Sequence, residues 1–222
     1  MKHLIFDMDG TIVDSMPIHR STWVEFAQKH GLLDQPDELD KATTGRTGVE
    51  GMRALFGSHL TLEQALAYVN EKEELYRAQF APQFRWVGGF ERFAQSVRSR
   101  GYRSGLGTAG DRHNVKFVFD RLQPLGLADF FEVAVGGDEG LPGKPDPAIF
   151  LEVARRMAVA PSDCLVFEDS PAGVAAAGRA GMRAVALLTS HTAAELAGDH
   201  VVAAVADFDE LMAVAPNLWA TA

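Results

Sequence analysis

Short apolar runs alternate with helical segments along most of this 222-residue chain. The runs fall at residues 4–6, 103–108, 130–135, 165–167, 183–188 and 201–205. Between them lie helix signals. Gly88-Gly89 leads into a helix through Ser99 that Gly101 ends, and Asp111 caps one with Val115, Val118, Phe119 and Leu122 on one face. Asp146-Pro147 starts a helix carrying Ile149, Phe150, Val153 and Met157, and Ser170-Pro171 opens an Ala/Gly-rich one ending near Gly181. Strands separated by helices must run parallel, with crossovers that cover both faces of the sheet. The fold class is therefore α/β, a doubly wound parallel sheet.

One stretch breaks the alternation. From Pro17 to Phe80 the pattern is helical throughout, with Thr61 as a cap and Leu62, Leu66, Val69, Tyr76 and Phe80 near helical spacing. No strand is expected there, so the stretch cannot belong to the sheet. It reads as a small α-helical domain, residues 16–82, inserted after the first strand into a core formed by residues 1–15 and 83–222. The connections fall near residues 13–16 and 82–87.

Composition excludes several partners. Apolar residues are 47% and charged residues 23%, ordinary for a globular chain, and the net charge of -9 opposes nucleic acid and acidic membrane surfaces. The single cysteine, Cys164, sits in an apolar run and reads as a buried small hydrophobe, which fits a reducing compartment. The apolar run at residues 4–6 meets Asp7 at once, too short for a signal peptide, and no apolar stretch reaches the ~18 residues of a membrane span. A cytoplasmic protein is expected, monomeric by default.

In open α/β sheets ligands bind beyond the carboxyl ends of the strands. Asp7 and Asp9 follow the first strand, Thr108 and Ala109 the second, Lys144 the third, and Glu168-Asp169 the fourth. Four carboxylates, a hydroxyl and an ammonium thus meet at one edge. Like charges ~4 Å apart repel by about 4 kcal/mol at an effective dielectric near 20. Relief comes from a proton or a cation. A hard cation with few protein carboxylates and several waters suits Mg²⁺, which also draws in a phosphate. Thr108, Lys144 and the N–H groups at the Asp111 helix start can hold its oxygens.

Asp7-Met8-Asp9-Gly10-Thr11, Thr108, Lys144 in Gly143-Lys144-Pro145-Asp146-Pro147, and Glu168-Asp169 resemble the four motifs of the haloacid dehalogenase superfamily, in its order. The helical insert resembles that family's small α-helical cap, in the branch of β-phosphoglucomutases and sugar-phosphate phosphatases. The resemblance implies a mechanism. Asp7 would attack phosphorus and carry an aspartyl-phosphate. Asp9 would protonate the leaving oxygen and then activate water, which calls for a carboxyl pKa above the ordinary ~3.9. Asp7, the Asp9 carbonyl and Asp169 would hold Mg²⁺, with Glu168 as a nearby or outer ligand. Thr108, Ala109 and Lys144 would bind the phosphoryl group. The carboxylate at Asp9 argues against dehalogenation. The cap lysines Lys29, Lys41 and Lys72 fall in no Schiff-base motif.

The cap is expected to select the substrate. His19 lies where mutase-like relatives carry a histidine, although a shared face with Trp23 and Phe26 equally fits packing. Arg46, in Thr43-Thr44-Gly45-Arg46-Thr47, lies in a loop resembling the family's substrate loop. Mutases place an Arg where this chain has Gly48, and Ser, Lys and Asn where it has Gly110, Asp111 and Arg112. Hydrolysis of a small phosphorylated metabolite, a sugar phosphate first, is the expectation. A β-phosphoglucomutase-type reaction is the runner-up, and a phospho-accepting signalling protein the alternative from another class.

Overall fold

The computed structural model describes residues 3–32, 39, 42–43 and 46–215. Six strands, β1 (His3–Phe6), β2 (Arg103–Gly107), β3 (Phe131–Val135), β4 (Cys164–Glu168), β5 (Arg183–Leu187) and β6 (Val201–Val205), form one sheet. Its order is β3-β2-β1-β4-β5-β6, and every pairing is parallel. The strands lie within a residue or so of the positions read from the sequence, except that Glu168 closes β4 rather than following it.

Alternation along β1 divides the core. Leu4 and Phe6 face a layer built from α4 (Phe90–Ser99), α5 (Arg112–Leu122) and α8 (Phe208–Val214). Ile5 faces the opposite layer, formed by α6 (Ala148–Met157) and α7 (Pro171–Arg179). Phe6 stacks on Phe167 of β4 at 4.6 Å, which ties the two central strands together. Strand order reverses around β1, so its carboxyl end is the topological switch point, where crevices form in such sheets.

Between β1 and α4 the described residues contain helices and no strand. These are α1 (Met16–Lys29), α2 (Gly48–Phe56) and α3 (Leu62–Phe80). Thr47 and Thr61 each cap their helix in a reciprocal capping box with Glu50 and Gln64. Phe26, Met52, Leu60, Ala65 and Val69 make a separate apolar cluster under these helices. The chain leaves and returns along neighbouring segments. The Asp14 N–H donates to the Arg85 carbonyl at 3.1 Å and the Val87 N–H to the Ile12 carbonyl at 3.0 Å.

The stripe expected on α3 holds at Val69, Tyr76 and Phe80 and fails at Leu62 and Leu66. Ala65, Val69, Lys72, Tyr76 and Phe80 are buried, whereas Leu62 and Leu66 are 56% and 41% exposed. A spacing of 3.6 residues sets Ala65, Val69, Lys72 and Tyr76 near one line and turns Leu66 about 100° from Ala65, while Leu62 is exposed as the first residue of the helix. The buried stripe therefore contains a lysine. No helix among the described residues is long and apolar enough to cross a membrane.

Candidate active site

Every residue singled out from the sequence as catalytic, metal-binding or substrate-binding lines one cavity of about 150 Å³ beyond the carboxyl end of β1. Asp7 leaves β1 with its N–H donating to the Phe167 carbonyl at 3.0 Å. Thr108 leaves β2 with its N–H on the Val135 carbonyl at 3.0 Å. Its Oγ1 accepts the Gly110 N–H at 3.0 Å, leaving its own proton to donate. Ala109 lines the cavity between them. Lys144, from the loop after β3, donates to Asp7 Oδ1 and Glu168 Oε1 at 2.6 Å each, with Nζ 4.7 Å over the Phe150 ring.

Glu168 is fully engaged in holding this arrangement. Beside the bond from Lys144, its Oε2 accepts the Asp169 N–H at 2.9 Å, the Ser170 N–H at 2.8 Å and the Ser170 hydroxyl at 3.0 Å. These bonds make it an anchor for Lys144. Asp169 lies against the turn after β1 and accepts the Thr11 hydroxyl at 3.4 Å.

Asp9 contradicts one expectation. Its carboxyl is held down to about 2, not raised. Burial pushes it up, but the hydrogen bonds from His19 and Ser15 and the charge of Lys72 oppose that push. Oδ1 collects Ser15 Oγ at 2.7 Å, His19 Nε2 at 3.0 Å and Tyr76 OH at 3.2 Å. Oδ2 is the carboxylate oxygen turned toward Gly110, where a β-carbon would lie 3.6 Å from it.

The histidine is both packed and bonded. His19 stacks on Tyr76 with ring centroids 3.8 Å apart. Its Nδ1 lies 2.9 Å from Lys72 Nζ. An ammonium only donates, so Nδ1 accepts and the imidazole proton sits on Nε2, facing Asp9. Lys72 is 2% exposed, also donates to Glu73 Oε1 at 2.9 Å, and lies 4.8 Å over the Trp23 ring. Burial pushes the Glu73 carboxyl up, yet the charge of Lys72 and the hydrogen bonds from Lys72 and Asn114 hold it below its ordinary range.

Sequence reading missed Lys72 and Glu73 as site residues. The available signal was a lysine standing in an apolar helical stripe. It also missed His191, in the loop after β5, which lines the cavity with its Nδ1 3.0 Å from the Asp169 carbonyl. Arg46 reaches the cavity from the helical segment as expected, while its neighbours Thr44 and Gly45, like Lys41, lie outside the described residues.

Negative charge in the site exceeds what Lys144 neutralises. Burial alone would lower the Lys144 ammonium; Asp7 and Glu168 outweigh that and raise it. Burial pushes Asp7 well above its ordinary range, Lys144 opposes this, and Glu168 and Asp169 add to it. Asp169 rises to about 7, through burial first and Glu168 second. Two carboxylates raised first by burial and then by neighbouring like charge fit a hard divalent cation. Among the described residues no group of three or more His, Cys, Asp or Glu is arranged to hold a metal by itself. Mg²⁺ asks for less: one or two carboxylates, with water filling the remaining positions.

A doubly wound sheet with a Lys-paired, buried Asp at its switch point and a helical insert over it defines an α/β enzyme with an acidic, anion-accepting site. The chain belongs to the haloacid dehalogenase-like hydrolase family, whose model matches residues 1–181. It is 31% identical over 199 residues to a validoxylamine A 7'-phosphate phosphatase of Streptomyces hygroscopicus subsp. limoneus, covering 88% of this chain and 90% of the relative. It is 33% identical over 196 residues to a fructose-1-phosphate phosphatase of Escherichia coli, covering 82% and 94%. Among solved structures, a family IA, variant 3 hydrolase of Entamoeba histolytica superposes with a TM-score of 0.81 at 27% identity, covering 95% of both chains.

Proposed function

We propose that this enzyme hydrolyses the phosphate monoester of a small phosphorylated carbohydrate or related metabolite, with Asp7 as nucleophile. The observation that carries this reading is the Lys144–Asp7 pair at 2.6 Å, set in the cavity shared with Asp9, Thr108 and Asp169. Both named relatives are phosphatases of such esters. Residues 16–82 act as the cap of a core made of residues 1–15 and 83–222, in the cytoplasm.

Asp7 attacks phosphorus as the bond to the leaving oxygen breaks. Thr108 and Lys144 stabilise the phosphoryl oxygens. Asp9 takes up a proton as the substrate binds and gives it to the leaving oxygen as that bond breaks, and the proton it later takes from water restores that state. Asp9 then takes a proton from water, the water oxygen bonds phosphorus, and the Asp7 carboxylate departs to release phosphate. Asp7, the Asp9 carbonyl and Asp169 are the groups that would hold Mg²⁺, which supplies charge neutralisation for both the carboxylates and the ester.

Two contacts favour hydrolysis over phosphate transfer between sugar positions. A β-carbon at Gly48 would stand 2.9 Å from both methyl groups of Val69, so any side chain there, an arginine included, would have to displace Val69. Asp111 is committed to capping α5, and Arg112 pairs with Asp138 at 2.5 Å. A second phosphate site is therefore not built at those positions.

The test is Mg²⁺-dependent release of inorganic phosphate across a panel of sugar phosphates, lost in Asp7→Asn and Asp9→Asn. Conversion of β-glucose 1-phosphate to the 6-phosphate would make it a mutase. A long-lived phosphorylated Asp7 without turnover would make it a phospho-acceptor.

A further inference from the structure

The hydrogen bonds behind Asp9 continue beyond Lys72. Glu73 Oε2 accepts the side-chain amide of Asn114 at 2.7 Å, and Asn114 Oδ1 accepts Arg77 Nη1 at 2.8 Å. Asn114 is 1% exposed and lies in the first turn of α5, where its own N–H caps onto Asp111 Oδ1 at 2.8 Å. Glu73 and Arg77 are one turn apart on α3 and straddle its amide. A carboxylate on one side and a guanidinium on the other leave one workable orientation, NH₂ toward Glu73 and oxygen toward Arg77. The chain of bonds thus starts on α5, crosses to α3 at Glu73, passes through Lys72 and His19, and returns to Asp9 beside β1.

We propose that Asn114 is a positioning residue for the acid/base step. It orients Glu73, Glu73 fixes Lys72, and Lys72 keeps the His19 proton on the nitrogen that faces Asp9. Without the amide donor, Glu73 has one fewer bond in a buried site and competes for Lys72. His19 is then released to change tautomer, and Asp9 loses a donor. Because Asn114 belongs to the sheet layer and Glu73 and Arg77 to the insert, the chain of bonds is complete only when α3 rests on α5. This inference rests on the reading of Asp9 as acid/base.

Leaving-group dependence tests it. 4-Nitrophenolate departs without a proton, whereas phenolate needs one, and the two esters have nearly the same shape. In Asn114→Asp, which preserves shape and removes the donor, kcat/KM for phenyl phosphate should fall about tenfold or more, within the range of general acid catalysis, and for 4-nitrophenyl phosphate less than about threefold. Asn114→Ser serves where the aspartate variant fails to fold, and Asn114→Gln should recover part of the loss. Equal falls on both esters, or none, would overturn the proposal and leave Asn114 a packing or substrate-contact residue. Asp9→Asn, measured alongside, separates the failures. If it too shows no selective loss, the acid assignment itself is wrong; if it alone shows one, only the role of Asn114 is lost.

Discussion

Gly10 and Asp169 share one space: a β-carbon on Gly10 would stand 2.1 Å from Asp169 Oδ2. The turn after β1 and the end of β4 are thus fitted together at the level of the backbone. The Thr11 hydroxyl reaches Asp169 Oδ1 from the same turn, and the Thr189 hydroxyl donates to the Gly10 carbonyl from the loop after β5. Three loops therefore fix where Asp169 stands relative to Asp7.

Gly10→Ala should damage the site more than the fold. Gly10 has φ +77°, a conformation that costs an alanine about 1–2 kcal/mol. The new methyl must also displace the Asp169 carboxylate, and a misplacement of about 1 Å at such a site costs about a hundredfold in rate. Gly31→Ala is the control, with φ +63° and nothing within 4 Å. It should lose similar stability and keep full activity. Equal activity in the two variants would show that Gly10 matters only for its backbone.

Without metal, stability should fall as pH rises from about 4 to 7. The Asp169 carboxyl moves from 3.8 to about 7 on folding, so across that window the folded state holds a proton that the unfolded state has released. Asp7 is displaced in the same direction. Asp9 moves the opposite way, to about 2, so its contribution disappears only below the ordinary carboxylate range. Mg²⁺ should reverse the decline, giving a larger rise in Tm at pH 8 than at pH 5. Melting curves of the wild type and Asp169→Asn with and without MgCl₂ check this. A Tm gain independent of pH, or preserved in Asp169→Asn, would place the ion elsewhere.

How far the sequence reveals this molecule depends on how local each cause is. Buried parallel strands read as apolar runs because both faces are covered, so β1 and β4 are recognisable from a few residues. Asp7, Thr108, Lys144 and Asp169 are recognisable because each follows a strand in the chain, and the carboxyl ends of strands are where such sheets bind ligands. The Lys72–His19 contact spans 53 residues and arises only when α1 and α3 pack together. Part of the low pKa of Asp9 has the same origin, since the charge of Lys72 on α3 contributes to it. His191 belongs to no motif and reaches the cavity because the loop after β5 folds over Asp169. Leu62 and Leu66 matched helical spacing as well as the true stripe did, and the difference lay in whether a lysine was accepted as buried.

Lys72→Met should separate the electrostatic role of this lysine from its packing role. Methionine keeps the aliphatic stem against Trp23 but strands the buried Glu73 carboxylate and frees His19 Nδ1. Breaking a buried ion pair costs about 3–5 kcal/mol, because the remaining charge is left without a partner. Adding Glu73→Gln removes that charge and should restore most of the stability. Activity should stay about tenfold or more below wild type in both, on the scale of a weakened acid/base step. Thermal melts and steady-state kinetics read the two effects independently. Recovery of activity together with stability would reduce Lys72 to a structural residue.

Glu168→Gln tests whether this carboxylate acts on Lys144 or on the metal. Its Oε1 takes one bond from Lys144 and its Oε2 three from Asp169 and Ser170, so a glutamine can satisfy one side only. If its oxygen keeps the backbone N–H groups, its NH₂ faces the ammonium, donor against donor, and Lys144 moves away from Asp7. Loss of the Lys144 interaction should lower kcat about a hundredfold, the scale of removing one preorganised donor from a developing charge. The same change removes a negative charge that raises both Asp7 and Asp169, so the pH-dependent loss of stability should shrink. The Mg²⁺ concentration giving half-maximal activity should change far less than in Asp169→Asn. A Mg²⁺ requirement raised as much as in Asp169→Asn would make Glu168 a ligand, and the anchoring of Lys144 would then be the secondary role.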